Sequence, residues 1–290
     1  MKLPAFDYVC PATLAEAVAL LGSRDEAKAL AGGQSLVPMM AFRIASPSLL
    51  VDLRKLSDLR QITIDNGGVR LGAMVRWRDI EDDGRLTTAH PLLKAAISHV
   101  AHYQIRNRGT VGGSVAHADP AAEMPGIAVT CDAEIAVVGP GGPFAVNAND
   151  FFIAPLTTAL AADEIITEIR LPAWPAQRRW GFREFSRRRG DFAMAAAAVF
   201  YDVDDAGKAH NTHIGAIGVG DRPVRLADAE AEVNGNVVDM TICERAGAAA
   251  SASVSPQSDI HASGAYRKSL IGTMVERALQ SAAEVGSPCR

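Results

Sequence analysis

Two short stretches with paired glycines constrain this chain more than any other feature of its sequence. The longer one is Gly109-Thr110-Val111-Gly112-Gly113-Ser114, and the earlier one is Ala31-Gly32-Gly33-Gln34-Ser35. Because glycine has no Cβ, a phosphate group can approach the backbone N–H groups of such a turn closely. The stretches are far apart in sequence, and in both a hydroxyl side chain follows the glycines. Together they predict one large phosphorylated cofactor held from two sides.

An isolated glycine pair is most often a plain turn, so the prediction depends on the surroundings of each pair. A buried strand is predicted over residues 27–30, directly before the first pair, and Ser35 stands at the N-cap position of a helix predicted over 36–42. A strand, a glycine turn and a helix start together present free amides and the positive end of a helix dipole to an anion. After the second pair, a helix predicted over 121–130 places Glu123 in its first turn.

Charge and cysteine usage exclude several classes of protein. A formal net charge of −4 argues against nucleic acid as the main partner, since duplex binding depends on a basic surface. The four cysteines, Cys10, Cys131, Cys243 and Cys289, are far apart and form no C-x-x-C pair. A disulfide framework, a zinc site or an iron–sulfur site within this chain is therefore not expected.

The motifs of other enzyme classes are missing from the sequence. There is no P-loop and no G-x-S-x-G elbow. The glycine cluster over 215–220 lacks the third glycine of a dinucleotide fingerprint, because Pro223 stands in its place. The N-terminal stretch has no apolar signal core, and no run of about 18 apolar residues occurs, so a cytoplasmic protein without a transmembrane segment is expected.

The chain is long enough for about two domains, at roughly 150 residues each. Pro172, Trp174 and Pro175 are the best candidate linker, because closely spaced prolines end regular structure. Before the linker, the alternation of apolar residues predicts hairpins over 62–71 and 134–146, a helix over 91–102 and a strand over 164–171. After it, strands are predicted over 180–186, 193–201 and 212–219, and helices over 226–233, 240–250 and 264–285.

The two glycine stretches, Asp119-Pro120, Glu123 and the later Gly190-Asp191-Phe192-Ala193 resemble the FAD-binding medium subunit of molybdenum hydroxylases, the xanthine and carbon monoxide dehydrogenase superfamily. The resemblance covers essentially the whole chain and includes the closing pattern Tyr266-Arg267-x-x-Leu270. The chain looks closest to bacterial enzymes that hydroxylate N-heteroaromatic rings, such as quinoline-type oxidoreductases. The stretches that carry this closer likeness are residues 31–36, His99-x-x-His102, 106–108 and 117–125.

The resemblance implies an α+β fold in two domains. The N-terminal FAD-binding domain would span residues 1–175 in two α/β subdomains, about 1–57 and 58–175, with a vanillyl-alcohol-oxidase-like FAD fold. The C-terminal flavoprotein domain, residues 176–290, would contain an antiparallel sheet and helices.

The resemblance also implies roles for single residues. The four glycines of the two pairs would approach the FAD pyrophosphate, and Ser35, Thr110 and Ser114 would add hydroxyl hydrogen bonds. Glu123 matches a carboxylate that bonds cofactor hydroxyls, although an acid in a first helical turn has the same appearance. Ile166 would lie against the flavin, and Phe192, often tyrosine in relatives, would cover one face of the isoalloxazine. The predicted cofactor-binding residues are Ala31, Gly32, Gly33, Gln34, Ser35, Thr110, Val111, Gly112, Gly113, Ser114, Glu123, Ile166, Arg183, Asp191 and Phe192.

The function implied is that of an electron-transfer subunit. Electrons would come from the molybdenum cofactor of a large subunit, through 2Fe–2S clusters of a small subunit, to FAD in this chain and on to an external acceptor. The complex would be a dimer of heterotrimers, and no residue of this chain would be catalytic or bind a metal. Two alternatives stay open at this point: a free-standing flavin-dependent oxidoreductase, and a non-catalytic FAD-binding assembly module.

Two groups of residues have no single interpretation. His99, His102 and His117 either form a metal site or, more in keeping with their position in the motif, pack beside the flavin. The basic run of Arg183 and 187–189 is either a solvated face, a group that steadies the reduced flavin, or a docking surface. A lysine of the family aligns with either Arg183 or Glu184.

Overall fold

The computed structural model describes residues 2–284, so Cys289 and the predicted helix end at Val285 lie outside the described residues. The strands are β1 (Asp7–Val9), β2 (Ala27–Leu30), β3 (Leu49–Asp52), β4 (Ile62–Asp65), β5 (Gly68–Gly72), β6 (Glu134–Gly139), β7 (Gly142–Asn147), β8 (Phe152–Ala154), β9 (Thr157–Thr158), β10 (Ile165–Pro172), β11 (Arg179–Phe185), β12 (Ala195–Val203), β13 (Ala209–Ile217) and β14 (Val224–Arg225). The helices are α1 (Leu14–Gly22), α2 (Leu36–Ala41), α3 (Trp77–Asp82), α4 (Leu86–Ala89), α5 (Pro91–Ile97), α6 (Tyr103–Arg106), α7 (Val111–His117), α8 (Glu123–Thr130), α9 (Ala148–Phe151), α10 (Ala227–Val233), α11 (Met240–Ser253) and α12 (Gly264–Glu284).

Within this range the strands form four sheets, which confirms the predicted mixture of helix and sheet. The first is a small parallel sheet in the order β1-β3-β2, and the second is a five-stranded sheet in the order β4-β5-β10-β6-β7. The third sheet, in the order β11-β12-β13-β14, is antiparallel, and β8 pairs with β9. Each of the three larger sheets lies within one of the predicted segments 1–57, 58–175 and 176–290. The exact domain boundaries stay predictions.

Most long elements follow the sequence pattern, and the exceptions are short. The side chain of Thr13 caps α1 by accepting the N–H of Glu16 at 3.2 Å. The helix predicted over 91–102 ends at Ile97, and Ala101 adopts a positive φ of 42° before α6 begins. In the described part of the chain, no helix is both long and apolar enough to span a membrane.

The C-terminal sheet packs against helices on both faces, because its central strand has small side chains on each face. Ala196, Ala198 and Phe200 of β12 belong to the core shared with α5, α7 and α8. The odd-numbered residues Ala195 and Ala197 belong to the core formed with α11 and α12. Successive side chains of a strand point to opposite faces, so the alanine run lets helices approach the sheet closely from both sides.

Contacts between aromatic and histidine rings hold the predicted linker against the N-terminal core and the C-terminal sheet. The ring centroid of Trp174 lies 4.4 Å from that of His90 and 5.4 Å from that of Phe200, which stacks on His213 at 4.4 Å. The Arg178 guanidinium lies 4.4 Å from the centre of the Phe200 ring. The linker is therefore a packed element that joins the N-terminal core to the C-terminal sheet.

We expect His90 to make the fold acid-sensitive. His90 is fully buried, its Nδ1 accepts the N–H of Leu93, and burial lowers its pKa to about 3. The unfolded chain takes up a proton at this residue below about pH 6.5, whereas the folded chain does not, so stability is lost as the pH falls from about 6.5 toward 3. His90→Asn keeps a cap acceptor without titrating there, and should reduce this pH dependence by up to about 1.4 kcal/mol per pH unit. The measurement is the free energy of unfolding in urea between pH 4 and pH 7.

The exposed His210 supplies the matched control for this prediction. His210→Asn should leave the pH dependence of unfolding as it is in the unsubstituted chain. An equal pH dependence in His90→Asn and the unsubstituted chain would contradict the assignment.

Candidate functional site

A cavity of about 1060 Å³ lies where the first sheet, the segment 109–123, β10 and loops of the C-terminal domain meet. Its volume is at the upper end of the range for small-molecule and cofactor sites. The structure brings nearly all predicted cofactor-binding residues to this one cavity, although they come from distant parts of the chain. Those that line it are Ala31, Gly32, Gly33, Gln34, Ser35, Thr110, Gly112, Gly113, Ser114, Glu123, Ile166, Asp191 and Phe192.

Two predicted residues, Val111 and Arg183, do not line the cavity. Val111 is buried in the main hydrophobic core, where its side chain serves packing. Arg183 is an exposed residue of β11, and its guanidinium donates to the carbonyl of Phe182 at 2.9 Å. Because neighbouring residues of a strand face opposite sides, Glu184 points inward where Arg183 does not. Arg183 therefore lies outside the cavity lining, and its contact with the cofactor stays a prediction.

The first glycine loop presents unpaired backbone donors. The N–H groups of Gly32, Gly33, Gln34 and Ser35 have no hydrogen-bond partner among residues 2–284. The side-chain amide of Gln34 donates to the carbonyl of Gly32 at 3.1 Å, and Gly33 adopts a φ of +71°, which glycine tolerates without strain. These four half-buried residues line the cavity, so their N–H groups are available to an anion bound there.

The second glycine pair differs from its prediction. Gly112 and Gly113 lie in the first turn of α7, and their N–H groups are already bonded to the Ala73 carbonyl at 2.9 Å and to Thr110 Oγ1 at 3.2 Å. The N–H of Val111 is bonded to the Val75 carbonyl at 2.9 Å. This pair therefore forms a wall of the cavity and does not offer free amides as the first loop does.

Missing side chains allow the two glycine stretches to pack directly on each other. A Cβ added to Gly32 would lie 2.2 Å from the carbonyl oxygen of Arg108 and 2.9 Å from Gly109 Cα. A Cβ on Gly112 would lie 2.5 Å from the Cβ of Ala73. From the sequence alone, these glycines are expected to allow the close approach of a ligand. The structure shows that Gly32 and Gly112 are also required for close packing within the protein.

Glu123 is the buried acid of the cavity wall. It lies in the first turn of α8, is only 5% exposed, and its carboxyl has no hydrogen-bond partner from another residue in the described range. Burial, assisted by the charges of Glu184 and Asp119, raises the pKa of Glu123 to about 8. A buried carboxyl whose hydrogen bond within the described residues is to its own backbone N–H keeps acceptor capacity for the hydroxyl groups of a ligand.

The C-terminal part of the chain contributes cavity residues to which the sequence argument gave no role. Arg267 of α12 is 8% exposed and donates to the carbonyls of Met194 and Gly218 at 2.9 and 3.0 Å. It also bonds the carboxylate of Asp259 at 2.7 Å. Arg267 thereby ties α12 to the loops at the cavity mouth. In the sequence, Arg267 lies on the apolar face of the predicted helix, and an arginine in such a position is expected to be buried with polar partners.

The three histidines of the proposed group are not all at the cavity. His117 lines it, whereas His99 and His102 do not. Within residues 2–284, no group of three or more His, Cys, Asp or Glu side chains is arranged to hold a metal ion. His99 instead contacts Glu184, with Nδ1 3.7 Å from the carboxylate.

Known proteins match this chain over nearly its whole length. A family model for the FAD-binding domain in molybdopterin dehydrogenase matches residues 4–174, and one for the CO dehydrogenase flavoprotein C-terminal domain matches residues 180–282. The nicotine 6-hydroxylase medium subunit of Paenarthrobacter nicotinovorans is 38% identical over 97% of this chain and 99% of its own length. The carbon monoxide dehydrogenase medium chain of Hydrogenophaga pseudoflava is 34% identical over 96% of this chain and 97% of its own.

The structural comparison agrees with the sequence comparison. A chain in the crystal structure of quinoline 2-oxidoreductase from Pseudomonas putida 86 superposes with a TM-score of 0.94. It is 37% identical in sequence, and the match covers 98% of this chain and 99% of that one. Similarity at this level extends across both matched domains.

We expect Glu123→Gln to remove a pH dependence from the stability of the cofactor-free chain. Because the pKa of Glu123 is about 8 in the folded chain and about 4.5 in the unfolded chain, its contribution to stability is complete below pH 4.5 and is lost as the pH rises toward 8. Glutamine does not titrate, so the variant should lack this decline of up to about 1.4 kcal/mol per pH unit. Urea unfolding between pH 5 and pH 8 measures it.

Glu244, an exposed residue of α11, supplies the control. Glu244→Gln should reproduce the pH dependence of the unsubstituted chain. The assignment fails if Glu123→Gln loses stability with rising pH as steeply as the unsubstituted chain does.

Proposed function

The chain belongs to the FAD-binding medium subunits of the molybdenum hydroxylases, and on that premise we propose that it is the electron-transfer subunit of such an oxidoreductase. In this proposal the cavity would hold FAD, which would carry electrons from 2Fe–2S clusters of a small partner subunit to an external acceptor. The substrate is hydroxylated at the molybdenum cofactor of a large subunit. The word medium in the names of the similar proteins supports a complex with larger and smaller chains, which we propose is a dimer of heterotrimers.

One observation carries the proposal for FAD: in the described part of the chain, the same cavity is lined by N–H groups without an acceptor and by a buried carboxyl that is bonded to no other residue. FAD has an anionic pyrophosphate and several hydroxyl groups, and these are the two kinds of group that such a wall binds. Gly32, Gly33, Gln34 and Ser35 would donate to the pyrophosphate, and Glu123 would bond cofactor hydroxyls. The cavity residues therefore fit the cofactor of the matched family.

Bound FAD supplies chemistry that the side chains lack, because it accepts electrons in a pair and releases them to a different acceptor. The protein's contribution is positioning. Ile166 of β10, only 4% exposed, would pack against the flavin ring and exclude water. Phe192 is 62% exposed at the cavity wall, where its ring is available to cover the flavin. As phenylalanine it contributes stacking without a hydroxyl group.

We propose an N-heteroaromatic ring as the substrate class of the complete enzyme. The relatives that support this class are the nicotine 6-hydroxylase medium subunit, at 38% identity, and the quinoline 2-oxidoreductase chain, at 37%. This chain would not touch that substrate, since in the proposal the substrate is hydroxylated on the large subunit. The proposal separates the site of hydroxylation from the site where electrons leave.

Substitutions of Gly33 by a neutral and by a negatively charged residue test the proposed pyrophosphate site. Asparagine and aspartate both tolerate a positive φ and have nearly the same shape, so Gly33→Asn and Gly33→Asp impose similar packing on the loop. The aspartate adds a negative charge beside the pyrophosphate, and we expect it to weaken FAD binding at least about tenfold relative to the asparagine variant. Titration of the cofactor-free chain with FAD, followed by flavin fluorescence, measures both affinities.

Three results would overturn parts of the proposal. If the two variants had equal FAD affinities and equal unfolding free energies, the pyrophosphate would not lie at this loop. A chain that takes up no FAD would not be a flavoprotein. A purified single chain that oxidises an N-heteroaromatic substrate unaided would be a free-standing oxidoreductase, which the subunit proposal excludes.

A further inference from the structure

The loop between β11 and β12, residues 186–193, carries Phe192 at the cavity wall. Its C-terminal end is fixed at Met194, two residues after Phe192. The N–H of Met194 donates to the Phe185 carbonyl at 2.8 Å, and the Met194 carbonyl accepts from the buried guanidinium of Arg267 at 2.9 Å. Both backbone polar groups of Met194 are therefore bonded within the C-terminal domain.

The other end of the loop rests on the N-terminal domain through Gly190, two residues before Phe192. A Cβ added to Gly190 would lie 2.6 Å from the carbonyl oxygen of Ala101 and 2.7 Å from Nδ1 of His102. Gly190 also adopts a φ of +91°, which residues with a side chain rarely adopt. The loop thus makes a contact with the backbone of the other domain that requires glycine.

Arg106 holds the backbone on which Gly190 rests. Its Nη1 donates to the carbonyls of Val100 and Ala101 at 3.0 and 2.9 Å, and its Nε lies 3.0 Å from Oε1 of Glu81. Ala101 adopts a positive φ of 42°, a conformation that is unfavourable for a residue with a side chain. Such a conformation persists only where surrounding contacts maintain it. The two bonds from Arg106 are contacts of this kind.

The ring of Phe192 is not held by its own packing, because 62% of the residue's surface is exposed. Its position is set by the backbone, which is fixed at Gly190 on one side and at Met194 on the other. A segment this short between two fixed points has few conformations. A change at either point therefore moves the ring.

We propose that Arg106 and Gly190 are positioning residues that hold the ring of Phe192 against the flavin of bound FAD. Arg106 acts through the Ala101 carbonyl, and Gly190 carries the contact into the loop. This inference rests on the proposed function, because it requires a flavin in the cavity. It also gives a role to the first residue of the stretch 106–108, none of which lines the cavity.

The accessibility of the bound flavin to a neutral quencher tests this positioning. Acrylamide quenches flavin fluorescence by collision, so its bimolecular quenching constant rises when one face of the ring is uncovered. In the FAD-loaded full chain, Phe192→Ala defines the constant for an uncovered face. We expect Gly190→Ala and Arg106→Gln to raise the constant at least about twofold, because an aromatic ring has two faces and one of them loses its cover. Fluorescence lifetimes at increasing acrylamide concentration give the constant for each variant.

Matched substitutions elsewhere in the chain supply the controls. Gly84→Ala adds a methyl group where nothing lies within 4 Å, and Arg245→Gln removes an exposed arginine of α11. Both should keep the quenching constant of the unsubstituted chain. Ala101→Gly should keep it as well, because glycine adopts a positive φ without strain and the carbonyl that Arg106 binds is still present.

A double variant shows whether Arg106 acts through Gly190. If it does, Arg106→Gln combined with Gly190→Ala should give a quenching constant no higher than the larger of the two single variants. Effects that add would overturn the assignment of Arg106. The two single variants test the same contact from opposite sides, so either one suffices if the other fails to fold.

Two results would overturn the inference and leave the proposed function intact. The first is an unchanged quenching constant in Phe192→Ala, which would show that the ring does not cover the flavin. The second is an unchanged constant in Gly190→Ala and Arg106→Gln at the FAD content of the unsubstituted chain. A chain that binds no FAD would overturn the inference and the proposed function together.

Discussion

The direct packing of Gly32 on the backbone of Arg108 and Gly109 is the contact on which the site depends. Any side chain at residue 32 would lie within 2.2 Å of the Arg108 carbonyl oxygen. Because backbone meets backbone, no change of rotamer relieves such an overlap. The contact sets the position of the free N–H groups of the first loop relative to α7 and to Glu123. The shape of the cavity therefore depends on glycines in two stretches that are distant in sequence.

The two glycine stretches divide the work of the site between them. The first keeps its N–H groups free for an anion, whereas the second uses its N–H groups to attach α7 to the Ala73–Val75 backbone. The C-terminal domain closes the remaining side, and Arg267 holds its loops in place through the carbonyls of Met194 and Gly218. Burial of Glu123 in the wall raises its pKa to about 8.

Local patterns in the sequence predicted the parts of the structure that local physics decides. The hairpins, α11, α12 and the Thr13 cap follow from alternation, helical periodicity and capping chemistry. The helical state of Gly112 and Gly113 does not follow from helix propensity, because glycine is a poor helix former, and the turn depends on a non-local bond from Gly112 N–H to the Ala73 carbonyl as well as on the Thr110 cap. The sequence also leaves open whether Arg183 or Glu184 aligns with the lysine of the family. A shift of one residue along a strand exchanges its two faces, and only the packed sheet shows which residue points inward.

An experimental structure of the full chain with FAD bound tests the central claim most directly. The account predicts pyrophosphate oxygens at hydrogen-bond distance, about 2.7–3.2 Å, from backbone nitrogens of residues 32–35. It also predicts a cofactor hydroxyl on the carboxyl of Glu123. A pyrophosphate bonded to the N–H groups of Gly112 and Gly113 instead, with residues 32–35 left without a ligand, would contradict the account.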